Sequence, residues 1–171
     1  MLSLTLLLAL SVPAGELERP VDVFKSLDGA WSGEFVGYGA DGKEMYRIAV
    51  EQRYRTVDAN RQAVEIRDVA ADGSVTRGTG FNIATRRPDG SLELICEVTK
   101  DNGESVRHQG RRVTGADGSE SLVWYSVESG KSETFRETVR GNVYEINGMG
   151  LYGSTAILMH GVYRRAGAET R

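Results

Sequence analysis

The sequence predicts an all-β protein, a single closed antiparallel up-and-down barrel of about 8–10 strands with a short N-terminal helix. Three observations lead to this fold class. Glycine is frequent and proline rare, 21 against 3 in 171 residues, which favours tight turns over helices. Asp-Gly or Asn-Gly pairs recur along the chain, and the runs between them alternate apolar and polar side chains, as half-buried strands do.

Five short segments of similar composition punctuate the chain. Each has Asp or Asn before Gly, and these residues tolerate the backbone conformations that hairpin turns require. They are ADGK at 40–43, ADGS at 71–74, PDGS at 88–91, DNGE at 101–104 and ADGS at 116–119. Consecutive hairpins of this kind predict an up-and-down sheet.

The segment MYRIAVEQRYRTV illustrates the alternation, because Tyr46, Ile48, Val50, Gln52 and Tyr54 fall on one face of a strand. The same reasoning predicts ten strands along the chain. They cover 31–39, 45–57, 62–70, 74–86, 91–99, 104–114, 120–128, 131–140, 142–148 and 153–165. The glycine-rich segment at 148–155 is interpreted as the turn between the last two strands.

A sheet with one apolar face needs a cover, and beyond the short N-terminal helix the sequence offers no helices to supply it. Its edge strands would also invite aggregation. Rolling the sheet into a barrel removes both problems. A sandwich would cover the apolar face as well, but sandwiches use longer crossovers than these hairpin-short connections.

The chain ends suggest export. Residues 1–14, MLSLTLLLALSVPA, resemble a signal peptide cleaved after Ala14, with a buried N-terminal helix or strand as the alternative. Residues 15–30 are predicted to form a leader and a short capping helix, with Val21, Phe24 and Leu27 at helical spacing. The barrel domain then spans 31–165, and 166–171 form a disordered tail. The predicted location is periplasmic or secreted.

The composition limits the kinds of partner that the protein is expected to bind. A net charge of −3 and a pI of about 5.5 argue against a nucleic-acid partner. The 14-residue apolar run is too short to span a bilayer, so no stable membrane insertion is expected after cleavage. Cys96 is the only cysteine, which excludes a disulfide within the chain, and it is interpreted as a small core residue. The sequence does not predict an oligomeric state.

Gly29, Ala30 and Trp31 stand at the start of the first strand. This Gly-x-Trp pattern resembles the calycin group, which includes lipocalins, fatty-acid-binding proteins and nitrobindin-like barrels. GAWSG at 29–33 is most similar to bacterial exported barrels of unknown function with a G-x-W-x-G first strand. The resemblance implies that Trp31 packs inside one barrel end against a basic residue of the last strand, Arg165 or Arg164. The lipocalin disulfide and the Arg-x-Tyr clamp of fatty-acid-binding proteins have no counterparts here.

The function predicted from this fold is binding of a small, mostly apolar ligand inside the barrel, with no chemistry assigned and no catalytic residue named. Inward aromatic and polar side chains are the expected lining. The predicted ligand-binding residues are Tyr46, Gln52, Tyr54, Phe81, Leu94, Trp124, Phe135 and Tyr144. Gly29, Trp31 and Arg165 are expected to form the barrel end.

Two alternatives stay open. His160, with Leu158 and Val162 on its face, could hold haem as one histidine does in nitrobindin-like barrels; no other cofactor and no metal site is predicted. An enzyme of the same fold could use an inward acid such as Glu65 or Glu137, although each is expected to face outward in a cross-strand ion pair. His108, among many charges, is expected at the surface or the rim.

Overall fold

A computed structural model describes residues 18–167 and confirms the predicted fold class, a closed ten-stranded antiparallel up-and-down barrel with one short helix. The predicted signal peptide and most of the tail lie outside these residues. The strands are β1 (Gly29–Gly39), β2 (Glu44–Thr56), β3 (Arg61–Ala70), β4 (Val75–Arg86), β5 (Leu92–Lys100), β6 (Ser105–Thr114), β7 (Glu120–Glu128), β8 (Lys131–Arg140), β9 (Val143–Tyr152) and β10 (Thr155–Arg165).

The barrel closes through antiparallel pairing of the first and last strands. Every strand pairs with its neighbours in the chain, and β1 also pairs with β10 from Trp31 opposite Arg165 to Gly39 opposite Ile157. No strand of the described chain is therefore left with a free edge. The apolar face of the sheet becomes an interior.

The N-terminal helix is a 3₁₀ helix, Pro20–Leu27. Val21, Phe24 and Leu27 recur every three residues, which matches the three residues per turn of a 3₁₀ helix and places them on one face. All three are buried, and the Phe24 ring stacks on Trp124 with their centroids 6.2 Å apart. The helix thus fills one end of the barrel.

Trp31 and Arg165 complete this closed end. The Trp31 indole donates a hydrogen bond of 2.7 Å to the Leu27 carbonyl, and the Arg165 guanidinium lies 4.2 Å above the indole ring. Arg165 also donates to the carbonyls of Asp28 and Ser26. Gly29 has a φ of +122°, and a Cβ there would lie 2.5 Å from the Arg165 guanidinium, so only glycine fits at this position.

The opposite end of the barrel has no such cover among the described residues, because the helix packs against strands β2, β3 and β4 at the closed end. Five strand-to-strand connections surround it, at 40–43, 71–74, 101–104, 129–130 and 153–154. We call this end the mouth. Within residues 18–167, no helix combines the length and the apolar character that crossing a bilayer requires.

One predicted boundary is wrong. β9 continues to Tyr152, and the turn lies at 153–154 rather than across 148–155. Gly148 and Gly150 stand within the strand because rings cover them: a Cβ at Gly148 would lie 2.3 Å from Phe135, and one at Gly150 would lie 2.4 Å from Tyr152. These glycines make room for aromatic side chains rather than for a turn.

Removing the closed-end guanidinium should destabilise the protein. Arg165→Met keeps the aliphatic length but loses the cation–π contact and two carbonyl partners, an expected loss of about 1–3 kcal/mol. Because 1 kcal/mol corresponds to about 2–4 °C in Tm for a domain of this size, thermal unfolding should shift down by several degrees. Arg164→Met, on the exposed face of the same strand, is the matched control. Equal Tm values for the two variants would contradict this role.

Candidate ligand-binding site

Between the helix and the mouth, the barrel encloses a chamber of about 320 Å³. This volume falls within the range of about 300–1,000 Å³ that is usual for small-molecule sites. Most of its wall is apolar or aromatic. The apolar and aromatic lining residues are Phe35, Tyr46, Ile48, Val50, Tyr54, Val64, Ile66, Cys96, Val98, Val106, Trp124, Phe135, Ile146, Tyr152, Met159 and Tyr163.

The aromatic rings of the wall lie across glycines on adjacent strands. Trp124 is paired with Gly110, Phe135 with Gly148 and Tyr46 with Gly37. A Cβ at Gly110 would lie 2.4 Å from the Trp124 ring, and one at Gly37 would lie 2.3 Å from the Tyr46 ring. A glycine opposite each ring lets the ring lie against the wall, so the centre of the chamber stays open.

The deep part of the chamber contains polar groups. The Tyr54 hydroxyl donates a hydrogen bond of 3.1 Å to Gln52 and lies 3.4 Å from the Tyr144 hydroxyl. Burial raises the pKa of both tyrosines well above the ordinary value, so both are protonated at neutral pH. Beside them, Asn82 donates to Gln62, which in turn donates to the Phe24 carbonyl and ties the wall to the helix.

Glu137 faces this deep region from β8, beside the indole N–H of Trp124 and the hydroxyl of Tyr144. Glu137 lines both the chamber and a smaller cavity of about 30 Å³ beside it, which Arg112 and Glu120 also line. Burial raises the pKa of Glu137, and the polar hydrogens of Trp124 and Tyr144 together with His108 only partly oppose that effect. The expectation that Glu137 faces outward in an ion pair is therefore wrong.

A second carboxylate, Glu133, lies nearer the mouth and is well supplied with partners. His108 Nε2 lies 3.1 Å from its carboxylate, Lys131 Nζ lies 3.3 Å away, and the Tyr152 hydroxyl donates to it. Burial alone would raise the pKa of Glu133, but the hydrogen bonds from His108 and Tyr152 and the Lys131 charge outweigh it and lower the pKa to about 2. Glu133 is ionised at physiological pH.

His108 is buried and faces the chamber, so the expectation that it lies at the surface or rim is wrong. The charged residues around it in sequence, Arg107 and Arg111, alternate to the outer face of β6. Its strand partner is Cys96, which also lines the chamber. Burial raises the pKa of the Cys96 thiol to about 12, which keeps it protonated and a poor nucleophile.

A further charged group stands at the mouth. Lys100 Nζ lies 3.4 Å from Asp68 and 3.1 Å from Glu104. Burial raises the pKa of Asp68, and Lys100 partly opposes that effect. Among residues 18–167, no three metal-ligating side chains are grouped closely enough to hold an ion.

The eight predicted ligand-binding residues fall into three groups. Tyr46, Gln52, Tyr54, Trp124 and Phe135 line the chamber. Leu94 and Tyr144 point inward but are fully buried beneath it, packed in the core at the closed end. Phe81 is outside the barrel.

The expectation that Phe81 points inward is wrong. It is 38 % exposed and lies against Arg61, with the guanidinium 5.4 Å from the ring centroid. The inner positions of β4 are taken by Gly80, Asn82 and Ala84, because a hydrogen-bonding amide and small residues fit beside the helix. A shift of one residue in a strand exchanges its two faces.

His160, the candidate haem ligand, is not inside the barrel. It lies on the outer face of β10 with exposed Leu158 and Val162, and its Nδ1 lies 2.8 Å from Asn147. Because Met159 and Tyr163 point inward, His160 must point outward. A haem inside the chamber would have no access to this imidazole.

Comparisons with known proteins reveal the fold but no family. No protein-family model matches the chain, and no curated protein matches it. Among solved structures, an S-type phycobiliprotein lyase, CPES from Guillardia theta, has a TM-score of 0.65 at 8 % identity, covering 91 % of this chain and all of that one. Rv2717c from M. tuberculosis has a TM-score of 0.62 at 16 % identity, covering 88 % and 99 %. Both are similar to this chain in fold.

Replacing Glu137 by Gln should stabilise the protein in a pH-dependent way. Below the ordinary carboxyl pKa of about 4.5, Glu137 is protonated in both folded and unfolded states, so it contributes no penalty. As pH rises above that value, the unfolded state ionises first and the folded state loses stability. The Tm gain of Glu137→Gln over wild type should therefore be small near pH 4 and reach at least about 2–4 °C near pH 8, the equivalent of 1 kcal/mol.

The matched control is Glu145→Gln, which removes a carboxylate from the outer face of the neighbouring strand. Thermal unfolding across the same pH range should show no growing Tm gain for that variant. A constant or falling Tm difference for Glu137→Gln would contradict the burial of an ionisable carboxyl at this position.

Proposed function

We propose that the protein binds a small, mostly apolar molecule in the chamber of the barrel, as a binding protein rather than a catalyst. The observation that carries this proposal is the open chamber of about 320 Å³ with a wall of aromatic and aliphatic side chains. Moving apolar surface from water into such a chamber is favourable by about 25 cal/mol per Å².

The polar groups of the chamber support the same function. Gln52, Tyr54 and Glu137 stand at its deep end and can orient one polar group of a ligand, while the remaining wall contacts an apolar body. The likeness to a phycobiliprotein lyase concerns the fold alone and does not select that protein's ligand. Export after cleavage near Ala14 stays a prediction and is part of this proposal.

An enzyme of the same fold is the second candidate, and the inward position of Glu137 is the observation that favours it. A buried carboxyl with a raised pKa can act as a general acid or base. Binding remains the preferred function, because the other reactive groups of the chamber are not free to act. Glu133 already contacts His108, Lys131 and Tyr152, and the Cys96 thiol is protonated.

A variant that fills the chamber should weaken binding strongly without unfolding the barrel. Val106 lines the chamber, and Val106→Trp places an indole in the space that a ligand would occupy. Titration with N-phenyl-1-naphthylamine, a neutral apolar fluorophore, should give enhanced emission with the wild type and at least about tenfold weaker binding with the variant.

Val113→Trp supplies the matched control, because Val113 is on the same strand but exposed on the outside. It should bind the fluorophore as the wild type does, and circular dichroism should show that both variants are folded. No enhanced emission with the wild type, or equal binding by the two variants, would contradict a ligand site in the chamber.

A further inference from the structure

Glu137 is the one chamber carboxyl without an ion-pair partner among the described residues 18–167. Asp68 and Glu104 pair with Lys100, and Glu133 pairs with Lys131 and His108. No lysine or arginine of this part of the chain forms an ion pair with Glu137; its adjoining side chains, Trp124 and Tyr144, are neutral, and His108 acts on it only through space while it contacts Glu133. A carboxyl buried in this way is costly unless something compensates its charge.

We propose that the ligand of the chamber is an apolar molecule with a protonated nitrogen, and that Glu137 binds this nitrogen at the deep end. This inference rests on the ligand-binding function proposed above. It adds the class of ligand: organic ammonium compounds with an apolar body. The protonated nitrogen of such a ligand would donate a hydrogen bond to Glu137 and form the ion pair that no side chain of the described residues forms with it.

The rings around Glu137 suit the same kind of group. Trp124 and Tyr144 adjoin its carboxyl, Tyr54 lies 3.4 Å from Tyr144 through their hydroxyls, and Phe135 lies on the same strand face. An ammonium group is attracted to the faces of such rings by their quadrupoles, and it gains most where water is excluded. A carboxylate among aromatic rings therefore favours a cation over a neutral or anionic group.

The charges of the whole chamber also favour a cationic ligand. Its wall includes four carboxyls, Asp68, Glu104, Glu133 and Glu137, but only two lysines, Lys100 and Lys131, within the described chain. The excess of acidic groups in a low-dielectric cleft attracts a cation toward the mouth and repels an anion.

Ionisation of Glu137 should control the affinity. The titratable or charged groups that face it are Tyr54 on β2, Cys96 on β5, His108 and Arg112 on β6, Glu120 on β7, Glu133 on β8, Tyr144 on β9 and Tyr163 on β10. Burial raises the pKa of the tyrosines and of Cys96, so these groups stay protonated in the titration. Glu133 stays ionised, and Arg112 forms an ion pair with Glu120 at 3.6 Å. His108 is tested separately with His108→Gln.

The test compares three probes that share a 1-naphthylmethyl group: 1-naphthylmethylamine, 1-naphthylmethanol and the 1-naphthylacetate anion. Calorimetric titration of the wild type near pH 8 should give at least about tenfold tighter binding of the amine than of the alcohol, and the weakest binding for the acetate. Glu137→Gln should reduce the amine affinity to that of the alcohol and leave the alcohol unchanged. Glu145→Gln, which changes an outward carboxylate, should preserve the preference.

A second measurement uses the wild type alone. Amine affinity should rise with pH as Glu137 ionises, while alcohol affinity stays constant, since an alkylammonium remains protonated from acid to mildly alkaline pH. The rise should persist in His108→Gln and vanish in Glu137→Gln.

The outcomes separate the two proposals. If the alcohol binds but the amine is not preferred, or if Glu137→Gln keeps the preference, the ammonium inference is overturned and the chamber still binds apolar ligands. If none of the three probes binds, the proposed function fails and the inference fails with it.

Discussion

Pairing between the first and last strands, sealed by Arg165 over Trp31, is the contact on which the rest of the molecule depends. Without it the inner face of the sheet would be an exposed apolar surface with two free edges. With it, the same side chains enclose a chamber, and the helix closes one end because Trp31 and Arg165 bind its last carbonyls. A single closed end also decides that a ligand must enter through the mouth.

Closure also fixes which residues face the chamber. Strand side chains alternate, so one residue of known orientation assigns the whole strand. Arg165 packs inward on Trp31, which places His160 outside, five positions away. Phe135 lines the chamber, which places Glu137 inside, two positions away. Both orientations could have been predicted by applying this alternation consistently along β8 and β10. The residues next to Glu137 and His160 in sequence instead suggested that Glu137 faces outward and that His160 is buried.

Other features could not be predicted from local pattern. The fold class, the ten strands and the closed-end residues followed from turns, alternation and the Gly-x-Trp start. The orientation of β4 did not follow from the local pattern. Phe81 is the more apolar residue, but Asn82 points inward because it donates a hydrogen bond to Gln62 on the adjacent strand. The pairing of Cys96 with His108 depends on the register between two strands, which a single sequence does not specify.

Glu137 connects stability with function. A carboxyl in an aromatic interior weakens the fold as it ionises, so its presence calls for a compensating gain, and the ligand recognition proposed above would supply one. The proposed function requires that a ligand can enter the chamber beside this residue, and a crystal structure of the protein grown with N-phenyl-1-naphthylamine would show whether one does. Both rings of the fluorophore should lie inside the barrel, between Trp124 and Tyr54. Rings bound only on the outer surface, with side chains filling the interior, would contradict the proposed function.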